Sequence, residues 1–280
     1  MHIEPALPLD LEREIFETTA LSYPGTLPTL LRVSRRVLVW IEPLLYRALR
    51  ADSPKTAAAI ERAMELKPPS FFSDNVRSLY ISSYCGWPNQ TRCAFLRLCP
   101  NLVSLSLGPT EPPTTAILPV LAGILHVRMW QGSLWHLFGE ADPDPGHPFF
   151  RTITHMDLLR LTRPSLSSTL LSLGQMPALT HLCLHDVTVD VVSRLLRECS
   201  RLQILLVVFP PHYPAERKSL KISSAITDVR CVVVMRSRYP LGSDDWLNLN
   251  HDFWAGAETF VARKRRGELE VSARWLEPGW

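Results

Sequence analysis

Residues 102–107 read Leu-Val-Ser-Leu-Ser-Leu, an apolar residue followed by a short alternation of polar and apolar side chains. Alternation with a period of two marks a strand that buries one face. The same apolar-x-x-apolar-x-apolar pattern stands at Val76/Leu79/Ile81, Ile124/Val127/Met129, Ile153/Met156/Leu158, Leu179/Leu182/Leu184, Leu202/Leu205/Val207 and Val229/Val232/Val234. With Leu102/Leu105/Leu107 the first members lie 22 to 29 residues apart. One strand and its covering helix cannot bury an apolar side alone, so such units must stack on each other. The intervening segments suit the helical half. Val191, Val192, Leu195 and Leu196 share a helix face within 188–199, and 112–121 and 164–173 each place a proline near a helix start. Residues 140–148 (EADPDPGHP) read as a loop in the longest gap.

A period in the twenties with one short strand per unit resembles leucine-rich repeats. The turn places that follow the strands in that family carry Asn or Cys. Here they hold Tyr84, Thr110, Gly132, Leu161, Val187 and Pro210, so an irregular strand–helix solenoid of α/β class is expected over 70–280.

Strand residues between the inward ones should form a second face: Tyr80, Ser104, Ser106, Arg128, Trp130, His155, Asp157, His181, Cys183 and His185. Tyr80, Arg128, Trp130, His155, Asp157, His181 and His185 are the residues expected to meet a protein partner, since exposed aromatics and arginine dominate interface energetics. The plainer reading of any one of them is a solvated strand position. In the last two units Ile204, Leu206, Val208 and Val233 are apolar on this face too, which requires a cover. A helix at about 250–267 with Phe253, Trp254, Ala257, Phe260 and Val261 on one side is the expected cap. Its basic end, 263–266, suits the helix dipole better than it suggests an import signal, and Gly267 can take the left-handed cap.

Chemistry is sparsely signalled. The chain has 280 residues and a net charge of +3 from 30 basic and 27 acidic side chains, too balanced for a nucleic-acid groove or an anionic membrane surface. No apolar run reaches eighteen residues, and Glu4, Asp10, Glu12 and Glu14 come too early for a secretory signal, so an intracellular place in cytoplasm or nucleus is expected. The six cysteines are scattered, without Cys-x-x-Cys, and read as small buried hydrophobes. Gly-x-Gly, Gly-x-Ser-x-Gly, the Walker loop and His-Glu-x-x-His are all absent. His181-x-Cys183-x-His185 offers three metal-ligand types, but neighbours two apart on one strand are about 6–7 Å from each other and no fourth ligand is evident. No metal and no cofactor are therefore expected. His155-x-Asp157 could orient a base, as in a hydrolase, yet no motif places a nucleophile, so no enzymatic role is expected.

The first fifty residues carry a different signal. Pro8 precedes Leu11, Ile15 and Phe16 at helical spacing; Tyr23-Pro24-Gly25 breaks the chain; Pro28 opens a second helix with Leu30, Leu31 and Val33; Trp40, Ile41 and Leu44 belong to a third, bent at Pro43. Ser53-Pro54 starts a further helix that ends before Pro68-Pro69. Leu7-Pro8-Leu9-Asp10-Leu11-Glu12-Arg13-Glu14-Ile15-Phe16, Leu30-Leu31-Arg32-Val33-Ser34-Arg35-Arg36 and Trp40-Ile41-Glu42-Pro43-Leu44-Leu45-Tyr46 together resemble an F-box of the fungal type. Val37 stands where many F-boxes carry Trp. The resemblance implies three parts: an F-box-like helical domain (1–50), a linker helix (51–69) and a leucine-rich-repeat-like domain (70–280). It further implies that Leu7, Pro8, Leu11, Ile15, Phe16, Leu30, Leu31, Val33, Trp40, Pro43 and Leu44 bind the SKP-type adaptor of a cullin ubiquitin ligase, while the repeats hold a protein substrate. The rival expectation is a repeat scaffold that binds a partner without any ligase.

Overall fold

A computed structural model describes residues 7–108, 115–159, 166–209, 215–235 and 246–276. Nine strands form one sheet: β1 (Ala48–Ala51), β2 (Ser78–Ile81), β3 (Ser104–Leu107), β4 (Met129–Gly132), β5 (His155–Leu158), β6 (His181–His185), β7 (Ile204–Phe209), β8 (Cys231–Met235) and β9 (Trp275–Leu276). Their spatial order is their chain order, every pair is parallel, and the sheet is open, not closed into a barrel. Parallel neighbours need a crossover, and helices supply it here. Helices Pro54–Leu66, Asn89–Leu98, Leu166–Gln175, Val189–Glu198 and Ala215–Ala225 each return the chain to the next strand. Their apolar stripes and one face of the sheet make the main core, which holds Ile60, Phe95, Leu170, Val192 and Ile222 against Leu79, Leu105, Met156, Leu182 and Leu205.

The register places Leu49, Leu79, Leu105, Trp130, Met156, Leu182, Leu205 and Cys231 in one row across the sheet. Successive members lie 23 to 30 residues apart. This corrects two units. In β4 the inward residues are Trp130 and Gly132, not Met129, while Val127 lies in the same core just ahead of the strand; in β8 they are Cys231, Val233 and Met235, not Val232 and Val234. The reasons differ. In β4 Met129 mimics an inward residue, while the true second position is a glycine with no apolar signal. That glycine is required: a Cβ on Gly132 would stand 2.7 Å from the Trp130 ring. In β8 every residue is apolar, because both faces are buried, so no alternation marks the register.

Strands β1 and β9 were not expected. Tyr46-x-x-Leu49-x-Ala51 does obey the repeat pattern, with alanine in the last place. The sheet thus begins inside the segment read as helical. Ahead of it stand α1 (Leu9–Ser22), a 3-10 turn (Pro24–Thr26), α2 (Leu27–Leu30) and α3 (Arg35–Tyr46). Pro8 occupies the cap place of α1, not its first turn. These helices have a small core of their own, Ala20, Val37 and Ile41, with Phe16, Leu27, Leu30, Leu31, Trp40 and Leu44 around it. Ser34 caps α3 by accepting from the Val37 amide at 3.3 Å. The helix Pro54–Leu66 starts at its expected cap, Ser53. No helix among the described residues is long and apolar enough to cross a membrane.

Candidate functional surfaces

The N-terminal helices bury one side in their own core and leave the other bare. Of the residues expected to meet an adaptor, Leu7, Pro8, Leu11, Ile15 and Val33 are exposed, and Phe16, Leu30, Leu31, Trp40, Pro43 and Leu44 are half-buried. Leu9, Leu21, Tyr23, Leu38, Val39 and Leu45 are exposed as well and were not foreseen. Among the described residues, ten of the sixteen exposed large apolar side chains precede residue 46, which singles this segment out from the rest of the surface. Two ion pairs border it, Arg36–Glu12 and Arg13–Glu17, both at 2.7 Å.

The second face of the sheet is not a free surface. Its rows run Ser104, Met129, His155, His181, Ile204 and Tyr80, Ser106, Gln131, Asp157, Cys183, Leu206, Val232. Trp130 is absent from both: it is 1% exposed and lies in the core, a correction that follows from the register of β4. Tyr80 is buried beneath the Arg50 guanidinium, 5.8 Å from its ring. His155 and Asp157 are half-buried, and His181 and the His185 side chain are buried; Arg128, just ahead of β4, is exposed.

Polar groups on this face satisfy each other in a line. Ser106 Oγ donates to Gln131 Oε1 at 2.6 Å, Gln131 Nε2 to Asp157 Oδ2 at 2.8 Å, and His185 Nε2 to Asp157 Oδ1 at 2.7 Å. Burial pushes the Asp157 carboxyl up, yet the charge and hydrogen bond of His185, with Gln131 and Cys183, hold it below the usual range. The same His185 nitrogen faces the Cys183 sulfur at 3.8 Å. These hydrogen bonds tie β3, β4, β5 and β6 together across the second face. The sequence singled out Asp157 and His185 but not Gln131, which had been assigned to no face.

The cap stands where it was expected. The helix Trp246–Arg265 places Trp254, Ala257 and Val261 on Cys183, Ile204, Leu206, Val208, Val232 and Val234, with Phe253, Phe260 and Trp275 alongside. Val233 belongs to the other face, as the register of β8 requires. The cap also reaches further than its partners in the last units. Trp254 sets its ring 5.2 Å from His155 and 5.6 Å from His181, and Glu258 Oε1 lies 3.3 Å from His181 Nε2. Gly267 takes the left-handed conformation at φ 73°, closing the helix as foreseen. Lys264 departs from the expected solvated basic end. It is buried, and its Nζ donates to the Cys231 and Val271 carbonyls at 3.0 and 2.6 Å.

All six cysteines are buried, and none is joined in a disulfide to another. Burial raises the Cys99 and Cys231 thiols to about 12 and the Cys199 thiol to about 11. A scan against models of protein families finds no match to the chain, and a search of curated proteins finds none either.

Proposed function

We propose that the chain is the substrate-recruiting subunit of an SKP–cullin–F-box type ubiquitin ligase, acting inside the cell, in cytoplasm or nucleus. The N-terminal helices are its F-box-like part, and the stack behind them is a leucine-rich-repeat-like solenoid that holds a protein client. It carries no chemistry of its own; ubiquitin is transferred by other subunits.

One observation carries this reading. Leu11 and Ile15 on α1 and Val39 on α3 are 49%, 52% and 65% exposed, on helices whose opposite sides already form a closed core. An apolar helix face that its own fold leaves in water suits a helix-packing partner. The parallel sheet with partners 23 to 30 residues apart supports the repeat assignment. Since most of the second sheet face is buried, the client is met at the rims, where Arg128 and Tyr84 are exposed.

The test is capture of a purified SKP-type adaptor by the full chain. The wild type should retain it, Leu11→Glu combined with Ile15→Glu should not, and Leu66→Glu, at an exposed apolar residue outside the N-terminal helices, should behave as wild type. Equal capture by all three sinks the proposal. The rival reading, a repeat scaffold whose helices only cap the sheet, draws on one fact: the Tyr46 ring at the end of α3 packs edge-on against Phe71 at 4.8 Å. It is favoured if the folded wild-type chain captures no adaptor.

A further inference from the structure

The C-terminal ends of β3 and β4 enclose a small cavity, about 340 Å³ counted out to its mouth. Leu107, Ile117 and Leu137 give it apolar walls, and Arg92, Trp130 and Ser133 belong to its polar lining. The repeat brings them together. Leu107 closes β3, Ser133 is the first residue after β4, and Arg92 stands on the helix Asn89–Leu98 that returns the chain from β2.

All three polar side chains are buried: Arg92 and Ser133 are 5% exposed and Trp130 is 1% exposed. Trp130 Nε1 and Ser133 Oγ have no hydrogen-bond partner. Buried donors are rarely left so, because each has given up water for nothing. Gly132 dictates where the indole lies. Its Cζ2 and Cε2 atoms are 2.7 and 3.1 Å from the place a Cβ of Gly132 would take. The ring therefore runs along the strand towards Ser133, and Nε1, bonded to Cε2, lies at that end. An indole N–H can only donate.

Arg92 adds a positive charge. Its Nε donates to the Trp87 carbonyl at 3.1 Å and its Nη2 to the Ser82 carbonyl at 3.2 Å. Neither bond uses Nη1, and among the described residues the guanidinium meets carbonyl oxygens and no carboxylate. A buried cation without an anion is costly. Water could satisfy Trp130 and Ser133 but would leave that charge uncompensated. A carboxylate answers both needs: its negative charge and planar pair of oxygens match a guanidinium, its other lone pairs accept from N–H and O–H, and apolar walls suit the carbon behind it.

We infer that this cavity binds a carboxylate group, with Arg92 taking its charge and Trp130 Nε1 and Ser133 Oγ donating to its oxygens. The group belongs to a small free acid or to an acidic side chain of a bound peptide; the recognition chemistry is the same. This inference does not depend on the ligase reading.

The experiment follows the indole N–H resonance of Trp130 in the nitrogen-15-labelled full chain, assigned among the eight tryptophans by its loss in Trp130→Phe. Sodium acetate, or the blocked peptide acetyl-Ala-Glu-Ala-amide, is added at constant ionic strength. A saturable shift is expected. Response to acetate alone assigns the carboxylate to a free acid; response to the peptide, with or without acetate, assigns it to an acidic side chain. Sodium chloride and the peptide with glutamine in place of glutamate should do nothing. Ser133→Ala should weaken binding about 10-fold or more, the usual loss for a hydrogen bond to a charged group. It removes a buried hydroxyl without a partner, so it should unfold no earlier than the wild type, and lost affinity is then not lost fold. Arg92→Lys should weaken binding as well, and Gln90→Ala, at an exposed residue of the same helix, should not. The inference is overturned if neither probe gives a saturable shift, which would mean that the cavity holds water only, if chloride or the glutamine peptide acts equally, or if Ser133→Ala binds as the wild type does.

Discussion

Replacing Gly132 by alanine should destabilise the fold by about 1–3 kcal/mol, the usual cost of forcing a methyl group into a filled core. The added Cβ would meet the Trp130 ring at 2.7 Å and the Leu107 carbonyl oxygen at 3.3 Å. Trp130 itself is packed edge-on against Phe149 at 6.1 Å and Phe150 at 6.2 Å, so the indole has little room to retreat. Trp130→Ala should cost about 3–5 kcal/mol. Trp130→Phe should cost less, because the indole Nε1–H is buried without a hydrogen-bond partner, and its removal offsets part of the lost packing. The decisive measurement is a double-mutant cycle in denaturant, followed by far-ultraviolet circular dichroism. In Trp130→Leu the Gly132→Ala change should cost at least about 1 kcal/mol less than in the wild type, since neighbours in contact couple by that order. The alternative register, with Trp130 facing out and Met129 facing in, makes Gly132→Ala a surface change worth no more than about 0.5 kcal/mol. A value that small, with no coupling, refutes the register and the core placement of Trp130.

Other outcomes follow from single contacts. Trp254→Ala should cost about 3–5 kcal/mol and raise binding of an apolar dye, because Leu206 and Val232 lose their cover; deleting 245–280 should go further and cause aggregation, and a truncated chain that folds cooperatively would show that the cap is dispensable. The hydrogen bond from Arg230, at 2.7 Å, holds the Asp228 carboxyl below its ordinary value. A depressed carboxyl stabilises the fold above its unfolded value and loses that effect as pH falls through the folded one. The stability gap between wild type and Asp228→Asn should therefore be full at neutral pH and close in acid, below about pH 4, and a gap unchanged between pH 7 and pH 3 would refute the pairing. The Cys99 and Cys231 thiols, raised to about 12, should resist alkylation at pH 8 in the folded chain and react on unfolding; labelling at the rate of a free thiol would contradict their burial.

The repeat was legible wherever one face of a strand is polar. Ser104 and Ser106, between Leu105 and Leu107, announce the register of β3, and β2, β5, β6 and β7 carry inward residues where the pattern put them. It failed where that contrast vanishes. In β8 both faces are apolar because the cap covers the second one, and in β4 a large and a small residue share the volume that two medium ones fill elsewhere. The cap was legible from the demand for cover over β7. Its reach to β5 was not, since the position of Glu258 over His181 depends on how the helix crosses the sheet, which no local pattern states.

The junction between the helices and the sheet has a consequence for the proposed function. Only Arg47 separates the end of α3 at Tyr46 from the start of β1 at Ala48. Tyr46 is wedged against Phe71, and Glu42 on α3 is bound by Lys67 at 2.7 Å, just past the helix Pro54–Leu66. The exposed apolar side of α1 and α3 is therefore set at a defined orientation to the strand stack instead of hanging on a flexible tether. A ligase adaptor works by holding its client at a fixed distance from a separate catalytic subunit, and a rigid junction serves that purpose where a loose one would not. Tyr46→Ala with Glu42→Gln should leave adaptor capture by Leu11 and Ile15 intact while loosening the junction, detected as faster proteolysis near Arg47. Loss of capture in that variant would mean that the helices fold only against the sheet, which is what the capping-scaffold reading requires.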